Sequence, residues 1–308
     1  MSLLTVGTVA FDDIETPFGR VEKVIGGACT YISWAASYFT QPIHLVSVIG
    51  DDFPADELSA LQARGVDMAG LKIIPGQESF YWAGRYHHNL NHRDTLFTQL
   101  NVLADFNPEL PPGFLQPDFV MLGNLTPDIQ RKVILQLTKR PRLIALDTMN
   151  FWMDHMMDSL LETIRLVDLL IINDEEARQL SGEYSLVRAA EKIFKMGPQT
   201  VVVKKGEHGA LLFMPQTVFF APALPLLEVK DPTGAGDTFA GGVMGYLART
   251  GDTSMDNMKR ALIYGSAMAS FCVEDFSLNR LKTLSLDEIH RRVGQFADLV
   301  HFNLIEIP

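Results

Sequence analysis

Short runs of apolar and β-branched residues alternate with stretches of helical periodicity through most of the chain, and no other feature restricts its fold as tightly. Leu3 to Thr8, Ile43 to Ile49, Phe119 to Leu122, Leu143 to Asp147, Leu169 to Ile172 and Thr200 to Lys204 read as strands. Between them, Cys29 to Phe39, Asp56 to Ala63, Asp128 to Leu137 and Asp174 to Leu180 carry apolar residues at helical spacing. Asp56-Glu57 and Asp174-Glu175-Glu176 place acidic charge in first turns, where the helix dipole favours it. Strands that alternate with helices imply βαβ units, and so an α/β fold with a mostly parallel central sheet covered by helices on both faces. The last third turns helical over Gly236 to Arg249, Met255 to Phe271 and Leu286 to Ala297, without a composition shift, so residues 1–308 read as a single domain.

Two stretches break the alternation, about 14–25 and 68–100, the second containing the aromatic run Ser79 to Tyr86. Neither has room for crossover helices, so they are expected to meet as a small antiparallel β flap, a lid over the main sheet. The formal net charge of −11 opposes whole-surface attraction to nucleic acid or an anionic membrane, but leaves room for a small phosphorylated ligand in a local pocket. Cys29 and Cys272 form no CxxC pair, no apolar run approaches the length of a spanning helix, and no signal segment opens the chain. A cytoplasmic location is expected.

The most informative segment is Glu228 to Gly242, where a strand-like run ends in the turn Thr233-Gly234-Ala235-Gly236 and opens directly into a helix. Successive N–H groups and the positive helix end then converge on one spot suited to an anion. Asp237, in the first turn, puts a carboxylate at the mouth of that spot, where it can take a hydroxyl proton from a group meeting a transferring phosphoryl. The dinucleotide fingerprint fails, because Gly234-Ala235-Gly236-Asp237-Thr238 is followed by Phe239 rather than a third glycine, and GxxxxGK[ST] occurs nowhere. A plain strand-to-helix connection is the structural alternative.

The run Asp231-Pro232-Thr233-Gly234-Ala235-Gly236-Asp237-Thr238-Phe239-Ala240-Gly241-Gly242 resembles the C-terminal signature of the PfkB carbohydrate kinase family, in the ribokinase-like superfamily. The resemblance implies a ribokinase-like fold, ATP and Mg2+ as donor and cofactor, Gly234, Ala235 and Gly236 as the anion hole, and Asp237 as catalytic base. Asn173-Asp174-Glu175-Glu176 resembles the family's Asn-x-x-Glu motif, which implies that Asn173 and Glu176 organise magnesium through water. By spacing alone the same residues form a capping box. Val201 to Ala210 resembles the strand and turn against which ATP lies, with Lys204 where many members carry Thr, and Gly206 and Gly209 beside it. Without the resemblance it is a hairpin with a Gly turn. Ser266 is similar to a position close to the adenine, or is simply a small buried residue.

On the acceptor side Asp12, after the first strand, and the Gly26-Gly27 turn resemble the family's substrate-hydroxyl site; a short carboxylate accepts two hydroxyls, and glycine permits close approach. Each is also compatible with an ordinary turn. Tyr31 replaces an Asn that commonly contacts sugar hydroxyls, which puts a ribose- or fructose-like acceptor in question. Asp147-Thr148-Met149-Asn150 resembles the Asp-x-Asn motif and adds Asn150 to the expected substrate contacts. Asp231 and Thr233 match positions on the family's monovalent-cation side, so K+ activation is a further expectation, although Glu274 to Ser277 departs from the usual Gly-Ala turn.

The flap aromatics Phe80, Tyr81, Trp82 and Tyr86 suit a planar substrate such as a nucleoside, or else form core or a dimer seam. His88 and His92, four apart, have zinc spacing on a helix, but they fall in the flap with no cysteine near and read better as a polar loop. The sequence thus points to a kinase that moves a γ-phosphoryl to a hydroxymethyl group of a sugar or nucleoside. The alternative is a catalytically weak metabolite-binding relative, and a homodimer through exposed lid edges is natural.

Overall fold

The computed structural model describes residues 1–303. The strands are β1 Leu3–Val6, β2 Ala10–Thr16, β3 Gly19–Gly26, β4 Ile43–Gly50, β5 Val66–Ile74, β6 Phe80–Tyr86, β7 Arg93–Gln99, β8 Phe119–Leu122, β9 Leu143–Asp147, β10 Leu169–Asn173, β11 Thr200–Lys204, β12 Ala210–Met214 and β13 Thr217–Ala221. The helices are α1 Ala28–Ala36, α2 Ala55–Ala63, α3 Pro127–Gln136, α4 Asn150–His155, α5 Met157–Ile164, α6 Asp174–Ser181, α7 Leu186–Phe194, α8 Ala235–Thr250, α9 Met255–Cys272, α10 Asn279–Lys282 and α11 Leu286–Val300.

Nine strands form the main sheet in the order β13-β12-β11-β10-β9-β8-β1-β4-β5, parallel from β11 to β5, with β12 and β13 antiparallel at one edge. The inner strands read as unbroken apolar runs because both faces are covered. Leu3, Leu45, Met121, Ala145, Ile171 and Val202 point to the layer of α1, α8 and α9, while Leu4, Val46, Leu122, Leu146, Ile172 and Val203 point to the opposite core with α3, α5, α6 and α7. No helix among the described residues is long and apolar enough to cross a membrane.

The second sheet, β3-β2-β6-β7, is the expected flap. Its two hairpins are antiparallel, and they join through a parallel pairing of β2 with β6, so the sheet as a whole is mixed. The flap is smaller than its sequence boundaries: residues 66–74, placed in the lid segment about 68–100, form β5 at the edge of the main sheet, and the lid uses 80–99 instead. The apolar positions of β5 alternate weakly, as befits an edge strand, and this hid it in the sequence.

Helix α8 is wedged between α1 and α9 at backbone contact. A Cβ on Gly241 would stand 2.4 Å from the Ile32 carbonyl oxygen, and one on Gly245 2.7 Å from the Ala36 Cα. On the other side, a Cβ on Gly242 would stand 2.9 Å from the Gly265 Cα. Gly241→Ala and Gly245→Ala are each expected to lower the melting temperature. Overpacking costs about 1–3 kcal/mol, against a helix-propensity gain of about 1 kcal/mol. Thermal denaturation followed by circular dichroism checks this, and unchanged stability would show that the two helices can separate freely.

Candidate active site

The segment before α8 carries the anion turn. Gly234 caps the helix in the left-handed region (φ 74°), and a Cβ there would stand 2.4 Å from Cζ of Tyr31, so both conformation and space demand glycine. The N–H of Ala235 bonds the Pro232 carbonyl and that of Thr238 the Gly234 carbonyl. The N–H groups of Gly236 and Asp237 have no backbone acceptor among the described residues, as first-turn donors of a helix do not unless capped. They are what an anion would take.

The carboxyl ends of three adjacent strands face this turn, the usual ligand side of a parallel sheet. Asp147 ends β9, Asn173 ends β10 and Lys204 ends β11. The Lys204 ammonium stands 3.4 Å from both Asp147 oxygens, and 3.1 Å from where a Cβ on Gly236 would be. Burial opposes its charge, but Asp147, Glu176 and Asp237 more than offset this and hold its pKa above the usual lysine value. Asn173 and Glu176 form a full capping box: Oδ1 of Asn173 accepts from the Glu176 N–H (2.8 Å) and Oε2 of Glu176 from the Asn173 N–H (2.7 Å). Burial pushes the Glu176 carboxyl up to about 7 against the pull of Lys204. Burial and Asp147 push Asp237 up to about 7, opposed by Lys204 and Arg93.

On the acceptor side Asp12 lies on β2, almost fully buried, its side chain against Gly26 of β3, where a Cβ would stand 1.9 Å from its Oδ2. Burial, then Asp231, Asp237 and Asp13, push Asp12 up to about 8. Gly27 (φ 93°) turns the chain into α1, so close to β1 that a Cβ would stand 2.5 Å from the Thr8 carbonyl oxygen. Three lid residues lie about the site, two of them, Trp82 and Tyr86, among the flap aromatics expected to suit a planar substrate, and the third, Arg93, not expected from its pattern. Trp82 pairs with Asp12 in register, and the outer edge of its ring covers Gly84, where a Cβ would stand 2.1 Å from Cη2. Tyr86, on the same lid face, meets the hydroxyl of Thr233 at 3.1 Å, and the Arg93 charge bears on both Asp237 and Glu176.

Two expected substrate contacts are placed elsewhere. Tyr31 is 1% exposed beneath Gly234, supporting the turn from below; its hydroxyl is buried with no partner. Asn150 begins α4 and bonds Gln179, because the helix turns its amide away from the strand end. Asp147, three residues earlier, occupies the site instead. Tyr81 packs edge to face with Phe11 and Phe97 on the other side of the lid strands, and Phe53 lies tilted against Phe11, so Tyr81 is packing rather than pocket.

A cavity of about 610 Å³ extends from Lys204 and Gly236 past Gly206 and Gly209 to Ser266 and the apolar side chains of Leu224, Leu226 and Val273. Its shape suits a nucleotide, with phosphates at the anion turn and the base among apolar groups. No group of three or more His, Cys, Asp or Glu side chains able to hold a metal occurs among the described residues. Magnesium that keeps most of its waters and comes with a triphosphate needs only one or two carboxylates, and Glu176 and Asp237 beside the anion turn fit that role. The residues expected for a monovalent cation are engaged within the protein. Asp231 accepts the N–H groups of Thr233 (2.8 Å) and Ser277 (3.4 Å), and the Thr233 carbonyl accepts the Cys272 thiol at 3.5 Å.

Asp12, Asp237, Glu176 and Asp231 all bind protons more tightly folded than unfolded. Stability is therefore expected to fall as pH rises from about 5 to about 8.5, because the unfolded chain has already released these protons. Asp12→Asn should flatten that fall and raise the melting temperature at the alkaline end; a pH-independent melting temperature would contradict it. Tyr31→Phe should be neutral or stabilising, since it removes a buried hydroxyl that has no partner.

Comparison with known proteins agrees with this geometry. Residues 5–283 match the sequence profile of the pfkB family carbohydrate kinase. The chain is 28% identical over 255 residues to a cytidine kinase of Thermococcus kodakarensis, covering 81% of this chain and 89% of that one. It is 25% identical over 302 residues to a nucleoside kinase of Methanothermobacter thermautotrophicus, covering 89% of each. Among solved structures, the nucleoside kinase of Methanocaldococcus jannaschii shares the fold with a TM-score of 0.75 at 19% identity, over 96% of this chain and 98% of that one. With the anion turn, the strand-end cluster and the lid in one place, the chain belongs to the pfkB family of carbohydrate kinases, as a kinase of sugars or nucleosides.

Proposed function

We propose that this protein is a nucleoside kinase, which transfers the γ-phosphoryl of ATP to the hydroxymethyl group of a nucleoside. The observation that carries the choice of acceptor is Trp82, which covers Gly84 on the lid face that also bears Asp12 and Tyr86. A flat indole offers a planar base a stacking surface beside a carboxylate that accepts sugar hydroxyls. The cytidine and nucleoside kinases among its relatives are in keeping with this reading.

In the reaction the acceptor hydroxyl passes its proton to Asp237 as its oxygen bonds the γ-phosphorus, and the bond from that phosphorus to the bridging oxygen breaks to release ADP. The free N–H groups at Gly236 and Asp237 and the Lys204 ammonium face the transferring phosphoryl and stabilise its charge. Magnesium, bound with the nucleotide, supplies charge that neutralises the triphosphate. Glu176 and Asn173 would orient its water shell, and the Lys204 ammonium, 3.4 Å from both Asp147 oxygens, would turn to a phosphate oxygen. Asp12 holds the sugar hydroxyls, and the closed lid excludes water that would otherwise hydrolyse ATP. The lid edge β7 is exposed throughout, with Leu96, Phe97 and Leu100 on or beside it, which supports pairing of two copies at this edge.

ADP release from Mg·ATP across a panel of nucleosides, pentoses and hexoses is expected to respond to nucleosides. Asp237→Asn should lower turnover about two to four orders of magnitude while nucleotide binding persists. A response to free sugars alone would overturn the choice of acceptor, and retained turnover in Asp237→Asn the choice of base. Because the base must be deprotonated, kcat/KM is expected to fall about tenfold per pH unit below about 7. Trp82→Ala should raise the nucleoside KM about tenfold and leave that of ATP unchanged, stacking on a base being worth roughly 1–3 kcal/mol.

A further inference from the structure

The polar loop His87 to His92 joins β6 to β7 at the tip of the lid, and nothing in the acceptor chemistry uses it. His88, Asn89, Leu90 and Asn91 line the same cavity as Lys204 and Gly236, so the tip crosses the anion turn and roofs the donor's phosphate end.

Direct contacts pin it there. Asn91 rests on the turn after β11, its Oδ1 2.7 Å from where a Cβ on Gly206 would stand, and Tyr86 meets Thr233 on the other side of the anion turn. The loop is shaped by its own bonds: His87 donates its N–H to the His92 carbonyl (3.0 Å) and pairs its ring with Asp94 (3.1 Å), and Oδ1 of Asn89 accepts the His92 N–H (3.2 Å). His87 and Asn89 are thereby engaged, whereas the side chains of His88 and Asn91 make no hydrogen bond among the described residues. Leu90, half-buried in the cavity, anchors the tip between them. Two exposed side chains that can each donate N–H are thus held by a pre-shaped loop over the place where a triphosphate would lie.

We infer that the lid tip is part of the donor site, with the Asn91 amide and the His88 imidazole donating hydrogen bonds to phosphate oxygens of a nucleoside triphosphate. This rests on the kinase reading above. The lid then closes on the donor, and nucleotide alone is enough to hold the tip down.

The test needs no knowledge of the acceptor. Binding of Mg·AMPPNP to the full chain, measured by calorimetry without any acceptor, is expected to weaken about tenfold in Asn91→Ala and further in the double variant with His88→Ala, with melting temperatures unchanged. In the unaltered protein, amide hydrogen exchange over residues 87–92 is expected to slow on adding Mg·AMPPNP alone. Affinities within twofold of the unaltered protein, or protection that appears only when a nucleoside is added, would overturn the assignment while leaving the kinase reading intact. An unaltered protein that binds no Mg·AMPPNP would overturn both.

Discussion

The close approach of α8 to α1 and α9 is the constraint on which the rest depends. A helix end can hold an anion only where it is pointed, and this one is aimed by backbone-to-backbone packing at Gly241, Gly242 and Gly245 rather than by long side chains that could shift. The same packing presses Tyr31 of α1 against Gly234, so the seam that positions the helix also props the turn at its tip. Strand ends, cavity and lid are arranged around a point that three glycines fix.

Around that point the protein concentrates charge it could stabilise more cheaply elsewhere. Asp12, Asp147, Glu176, Asp231 and Asp237 are all held above the ordinary carboxylate range, burial being the first cause in each case. Lys204 is the buried cation in their midst and Arg93 reaches in from the lid. Such a cluster is costly to a fold and useful to a phosphoryl-transfer site, since a bound metal and triphosphate rearrange the same charges without having to create them.

Much of this was legible in the sequence. The inner strands and their helices are readable because burial on both faces leaves unbroken apolar runs between capped helices, and the anion turn is readable because only glycine fits it. The antiparallel edge strands β12 and β13 and the edge strand β5 were not, because half-exposed strands blur the pattern. Tyr31 and Asn150 show a different limit. Each lies within one helical turn of the site in sequence, but the direction of a side chain from a helix start depends on packing that spacing does not encode. Asp147 stood in the same motif as Asn150, and its place at the strand end was the signal that could have singled it out. Arg93 and Asn91 carry no local pattern at all, since the parallel pairing of β2 with β6 is what brings their hairpin across the cleft.

The lid joins the body through four short links, Gly7 to Val9 after β1, Gly27 before α1, Pro75 to Ser79 after β5 and Leu100 after β7, and Asp12 is built into its own strand β2 rather than into the body. In the proposed reaction Asp12, as the holder of the acceptor's hydroxyls, and Asp237, as the base, therefore belong to different parts of one chain, the lid sheet and α8. An outward movement of the lid would remove a handhold as well as a roof, so that uncovering the product and loosening its grip would be one movement.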